Sequence, residues 1–156
     1  MKLEELQTMW DEDCVIDNTQ LGAQSTNIPY LHAKWRRLLS TEVVSLANMI
    51  RDQKQLIREK QECYEIGETK ESREKGWEMP PRGKPIAKAL IDKYTASDKD
   101  VLEMEFNVNF QKEKVDFVRD VLDSIRWRNA VIKNAIEDFK LKQDIDALKR
   151  RVVIEK

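Results

Sequence analysis

Val101, Met104, Val108, Gln111, Val115, Val118, Leu122, Ile125, Asn129, Ile132, Ile136 and Phe139 recur at alternating spacings of three and four. Only a helix places all of these side chains on one stripe, and few folds accommodate a helix that long. Leu102, Met104, Phe106, Val108 and Phe110 also alternate strictly, as in a half-buried strand. The strand reading explains nine residues and the helical reading explains the whole stretch, so helix is expected. Leu102, Phe106, Phe110, Phe117, Val121, Val131 and Ala135 widen the stripe beyond a two-stranded seam. The helix should therefore pack on its own chain and on other copies. The part from Val115 through Val118, Leu122, Ile125, Asn129, Ile132 and Ile136 to Phe139 is the candidate oligomerisation surface.

Asn129 stands inside that stripe, where a polar residue either fixes register at a cost in stability or marks a kink or an exposed position. After Phe139 the rhythm resets to Leu141, Ile145, Leu148 and Val152 and closes on Lys149–Arg151, which predicts a separate C-terminal helix. Ser97 to Asp100 offers a capping box at the start of the long helix, with Asp where Glu is usual.

Upstream, Leu3, Leu6 and Trp10 mark a short amphipathic helix that should stop in the acidic run Asp11–Asp13, because carboxylates oppose the dipole at a helix C-terminus. A short extended piece at Cys14–Ile16 is expected. Asp17, Asn18 or Thr19 can then cap a second helix to about Leu39, which Pro29 should kink or restart. Ser40 or Thr41 can cap a further helix running to Tyr64.

That last helix is where cations are ordered. At about 100° per residue, Arg51, Lys54 and Arg58 share one side, while Val43, Leu46, Met49, Ile50, Leu56, Ile57 and Tyr64 gather on the other. Lys60 falls at the edge of the apolar side, where its ammonium must snorkel out or find a partner. An ordinary solvated helix face would show the same pattern. Between Gly67 and Pro85 the chain collects three of its four glycines and three of its four prolines, which predicts a mobile loop. Trp77 within it is either a tether to the body or a platform for stacking a base.

With 37% charged and only 7% aromatic residues, long helices suit this composition better than a large compact core. The expectation is an all-α fold in which residues 1–96 carry the basic helix and the loop 67–85, and residues 97–156 carry the long helix and the C-terminal helix. The 28 Lys and Arg nearly cancel the 29 Asp and Glu, so partners must be argued from where charge sits. It is segregated, acidic over residues 1–17 and basic from Lys34 through Lys60.

Cys14 and Cys63 are far apart and lack ligand clusters, so reduced structural thiols and a cytoplasmic setting are expected. No apolar run resembles a signal peptide or a membrane span. Neither GxxxxGK[ST] nor GxGxxG is present, and His32 is the only histidine. No cofactor, metal or catalytic site is expected. From the residues alone, a helical oligomeric adaptor whose basic face recognises an acidic protein competes with a nucleic-acid binder.

Several stretches, in order, resemble the UvsY family of recombination mediator proteins of T-even-type tailed phages. They are Met1–Gln7, Val15–Asp17, Ile28–Trp35, the basic helix ending in Tyr64, Ser97–Leu102 and Asn129–Ile136. The resemblance implies that the basic-x-basic step Arg58 and Lys60 binds single-stranded DNA, with Arg51, Lys54 and Tyr64 beside it on the same helix. Glu59 between the two cations departs from the family pattern. For Lys60 to line a strand with Arg58, the end of the helix must turn away from the core. The resemblance further implies assembly through the C-terminal helices into a ring of about six or seven subunits. It implies a non-enzymatic role in which single-stranded DNA, a RecA-like recombinase and the single-strand-binding protein are the partners, in the cytoplasm of the infected host cell.

Overall fold

Five α-helices account for the regular structure of the computed structural model, which describes residues 1–79 and 83–154, with side chains as far as Arg150. They are α1 (Leu3–Asp13), α2 (Leu21–Ile66), α3 (Lys70–Glu74), α4 (Lys88–Ala96) and α5 (Lys99–Ile154). No strand occurs among the described residues. Two compact units divide the chain. One combines Met1–Ser40 with Asp116–Lys156, and the other is Thr41–Val115. Both long helices contribute to both units, so the units do not follow the 96/97 division expected from the sequence.

The expected helix breaks are absent. α2 runs 46 residues through Pro29 and past Ser40. Proline removes one backbone donor and crowds the preceding turn, a cost of about 3 kcal/mol. Burial of Leu31, Trp35 and Leu39 immediately downstream offsets that cost. Ser40 is not a cap; its hydroxyl donates back to the Arg36 carbonyl (3.1 Å) within the helix. α5 likewise continues for 56 residues, through the point where a separate C-terminal helix is expected. Lys99–Ile154 contains neither Gly nor Pro to end it. Past Phe139 the apolar rhythm resets on side chains that are all exposed as far as they are described, so a change of phase there disturbs no packing.

In the first unit, Leu6, Leu31, Trp35, Val118, Val121, Leu122, Ile125 and Ile132 form the core. Trp35 takes Trp10 edge-on at 5.8 Å and Phe117 at 6.4 Å. The stripe on α5 is thus buried from Val101 as far as Ile132 except for the half-buried Met104, with two departures from the expected pattern at its far end. Asn129 is exposed, its amide oxygen accepting from the Ser25 hydroxyl at 3.3 Å, and Arg128 is the buried polar residue. A step of three from Ile125 serves a helical stripe as well as a step of four, and spacing alone does not choose between them.

Arg128 explains how α1 ends. Its guanidinium donates to the carbonyls of Asp13 (2.8 Å), Cys14 (3.2 Å) and Val15 (2.7 Å) and to Gln24 Oε1 (3.0 Å). Helix C-termini leave carbonyls without intrahelical partners, and here a single arginine supplies them. The Asp13 carboxylate, unfavourable at that end of the dipole, accepts instead from Lys34 Nζ (2.6 Å) and Trp35 Nε1 (2.9 Å). Asp17 caps a local turn through Thr19 rather than the helix, and Cys14–Ile16 is irregular.

Arg128→Met keeps the stem and removes the donors. The expected result is a loss of about 1 kcal/mol, because part-buried carbonyls lose their charged donor and only water can replace it. It should be seen as a lower Tm with faster amide exchange in α1. An unchanged Tm would show that α1 ends without help from Arg128.

Candidate nucleic-acid interface

The second unit is organised by two buried ionic clusters, one of which takes in part of the expected strand-binding site. Asp98, not Ser97, caps α5. Asp98 Oδ1 accepts from the backbone N–H groups of Asp100 (2.9 Å) and Val101 (3.2 Å), while Ser97 closes α4, its hydroxyl donating to the carbonyls of Lys93 and Tyr94. Asp98 Oδ2 accepts from Lys60 Nζ at 3.0 Å and from the Tyr64 hydroxyl. Lys60 also reaches Asp100 Oδ2 at 2.5 Å and lies 4.5 Å from the centre of the Trp77 ring. Its side chain is 1% exposed.

Burial drives the Asp98 carboxyl upward, but the bonds from Tyr64, Lys60 and the Val101 N–H outweigh it and hold Asp98 below the ordinary carboxylate value. The Tyr64 phenol is pushed well above its ordinary value, by burial first and by the bond to Asp98 second.

The second cluster has no counterpart in the sequence reading. Glu42 Oε2 accepts from Lys114 Nζ (2.8 Å) and Gln111 Nε2 (2.7 Å), and Lys114 also donates to Gln111 Oε1 (3.0 Å). Gln111 belongs to the apolar stripe by its spacing, but the carboxylate it meets, Glu42, stands 69 residues away in the sequence. A lysine three residues beyond a stripe position looks solvated until a carboxylate from another helix faces it.

The loop over residues 67–85 is more structured than expected where it is described. α3 lies in it, capped by Thr69, whose side chain accepts from the Ser72 N–H. The Glu68 N–H donates to the Gly83 carbonyl (3.1 Å) and the Ile86 N–H to the Tyr64 carbonyl (2.9 Å). Residues 80–82 lie outside the described residues. Trp77 is half-buried between the ammonium groups of Lys60 and Lys75, at 4.5 and 4.7 Å from its ring centre, which is the packing of a tether.

The five expected DNA-binding residues therefore fall into two groups. Lys60 and Tyr64 are buried supports, and an outward turn of Lys60 would break two ion pairs and leave Asp98 short of a donor. The expectation that Lys60 lies beside Arg58 on a strand path is corrected by that burial. Arg51, Lys54 and Arg58 are exposed on one side of α2. Arg51 pairs with Asp52 (3.1 Å) and Arg58 with Glu62 (3.1 Å), all four side chains more than half exposed. Such pairs contribute little and give way readily to another anion. Glu59 is engaged by other partners than these arginines. It accepts from Lys75 (2.8 Å) and Gln55 (2.8 Å), and these bonds keep its carboxyl below the usual range. A groove of about 330 Å³ runs among Lys54, Gln55, Arg58 and Glu59.

The expected oligomerisation residues divide in the same way. Val115, Val118, Leu122, Ile125 and Ile132 are consumed by the chain's own core, Asn129 and Phe139 are exposed, and Ile136 is intermediate. The large apolar side chains left open on this part of α5 are Trp127, Val131, Phe139, Leu141, Ile145 and Leu148.

The described residues define an all-α protein of long helices with Arg51, Lys54 and Arg58 open on one side of α2, and no described helix is long and apolar enough to cross a membrane. The model of the family described as recombination, repair and ssDNA binding protein UvsY matches residues 9–144, and the chain belongs to this family. Members bind single-stranded DNA and act in recombination and repair. The recombination protein uvsY of Enterobacteria phage T4 is 26% identical over 141 residues, covering 90% of this chain and 96% of that protein. Among solved structures, the bacteriophage T4 recombination mediator protein UvsY in lattice type II aligns with a TM-score of 0.72 at 24% identity, covering 92% of this chain and 98% of that one. Its lattice type IV form aligns with a TM-score of 0.70 at 24% identity, covering 92% and 99%. These structures share the fold.

The Asp98 cluster generates a graded prediction. Asp98→Asn leaves the buried Lys60 ammonium with Asp100 as its remaining carboxylate, takes the charge from the α5 cap, and should cost about 3 kcal/mol. Lys60→Met should cost less, since Tyr64 and two backbone N–H groups still serve Asp98. Equal losses in urea melts would contradict this hierarchy. The lowered Asp98 value gives stability that is complete above the ordinary carboxylate value of 3.8 and lost as pH falls below it. The raised Tyr64 value gives stability that is complete below the ordinary phenol value of 10.0 and lost as pH rises above it. Lys60→Met should keep the alkaline limb, and Tyr64→Phe should remove its share of it.

Proposed function

We propose that this chain is a non-enzymatic recombination mediator. It holds single-stranded DNA on an oligomeric ring and helps a RecA-like recombinase displace the single-strand-binding protein, in the cytoplasm of the infected host cell. The observation that carries the strand-binding site is the exposed set Arg51, Lys54 and Arg58, whose two ion pairs are weak enough for phosphates to replace. Lys60 and Tyr64 act behind that surface as positioning residues, fixing the end of α2 that presents Arg58. Few cations per chain give weak binding, and repetition around an assembly raises it through effective concentration. Assembly uses the open apolar side chains of α5 from Trp127 to Leu148, with Phe139 retained from the residues expected at the outset.

The strand-binding site is tested by fluorescence anisotropy of a labelled oligonucleotide across a salt series. Replacing Arg51, Lys54 and Arg58 with Gln should weaken binding and make the log–log salt slope shallower by about 0.7 for each phosphate left without a cation. An intact oligomer with no strand binding at low salt would favour the protein-adaptor reading instead.

Assembly has its own test. Leu141→Asp with Ile145→Asp should shift the protein toward the monomer in sedimentation while leaving Tm nearly unchanged, because neither side chain is part of the chain's own core. An unaltered oligomer would move the interface elsewhere.

A further inference from the structure

Tyr30 is 70% exposed at the rim of a groove between α1 and α2, in the unit that does not hold Arg51, Lys54 and Arg58. Met9, Tyr30, Ala33, Lys34, Arg37 and Leu38 line it, enclosing about 290 Å³. That is at the lower end of volumes that hold a small ligand, and suits one ring system rather than a larger molecule. The floor is apolar, from the Met9 thioether, Ala33 and Leu38, and no carboxylate lines the walls. Lys34 is held in place by Asp13 at 2.6 Å, so its stem forms a wall while its charge is balanced. The exposed Arg37 lines the same groove, seven residues beyond Tyr30 and on the same face of α2.

We propose that this groove is a base-stacking contact for single-stranded nucleic acid, with a base against the Tyr30 ring and an adjoining phosphate met by Arg37. The inference rests on the chain binding single strands and adds a contact to the cations already described. Aromatic faces flanked by cations bind strands without reading sequence, because every base offers a π-face. The most exposed aromatic residue, Trp127 at 72%, has a different setting. On its helix face stand Asp120 and Asp123, the latter paired with Arg126 at 2.7 Å, so no net positive charge stands beside this ring to meet a phosphate backbone. The charge around the two rings therefore separates a strand contact at Tyr30 from a protein contact at Trp127.

The test uses the assembled full-length protein and a labelled oligothymidine, compared with the same strand carrying abasic sites. Tyr30→Ala should weaken binding to oligothymidine about fivefold or more, with Tyr30→Phe close to the wild type. The salt slope should not change with Tyr30→Ala, because stacking releases no counterions. On the abasic strand, Tyr30→Ala and wild type should bind alike. Independently of any variant, 5-iodouracil placed in the strand should crosslink to Tyr30 of the wild-type protein on irradiation.

Unchanged affinity of Tyr30→Ala for oligothymidine, an equal loss on the abasic strand, or absence of the Tyr30 crosslink would overturn the proposal. Normal strand binding with failed assembly in Tyr30→Ala would reassign the groove to contact between copies. Tyr30→Ala binding normally while the Arg51, Lys54 and Arg58 variant fails removes this groove alone. A wild type that binds no strand removes both readings.

Discussion

One carboxylate, that of Asp98, holds the second unit in register. Its first oxygen caps α5 where that helix starts in phase with the buried stripe, and its second takes Lys60 and Tyr64 from α2. Those two residues lie four apart, one turn of helix, so both donors reach the same oxygen. Lys60 in turn supports Trp77 and through it the segment after α3. A buried ion pair adds little to stability compared with well-packed apolar side chains of the same shape, but breaking one partner is costly. The arrangement is therefore better understood as a device that excludes other registers between α2 and α5 than as a source of net stability.

The same device recurs in each unit. Arg128 supplies the carbonyls at the end of α1, and Glu42 takes Lys114 and Gln111. Apolar stripes on long helices specify a contact but tolerate a slip along the axis, because each stripe resembles itself after seven residues. Polar groups that must be paired once buried do not tolerate that slip. A chain with 37% charged residues thus uses part of its charge to fix packing, and only the remainder is free to meet a partner. That division separates Lys60, used internally, from Arg51, Lys54 and Arg58.

The helical class is legible because the rhythm from Val101 spans so many turns that chance and strand readings both fail. Helix ends are less legible. Pro29, Ser40 and the phase change after Phe139 are local signals, and tertiary burial or the plain absence of Gly and Pro overrides them. The cap of α5 falls one residue later than expected, as a side-chain cap without the reciprocal bond of a capping box, since Ser97 and Asp98 are both good caps and the structure uses one for each adjoining helix. Of the strand-binding candidates, the three cations on the open face can be read from periodicity. Lys60 can be recognised as misplaced, but not assigned, because its partners lie 38 and 40 residues away. Arg128 escapes notice because Asn129 fits the same stripe nearly as well.

The cations of α2 divide into those held by the fold and those left to the strand, and lysine footprinting separates the two groups most directly. The assembled protein would be acylated with a small amine-reactive reagent, with and without a saturating single-stranded oligonucleotide, and the labelled positions found by mass spectrometry. Lys54 should be labelled in the free protein and protected by the strand, while Lys60 should resist labelling in both states. Labelling of Lys60 in the free protein, together with its protection by the strand, would contradict that division.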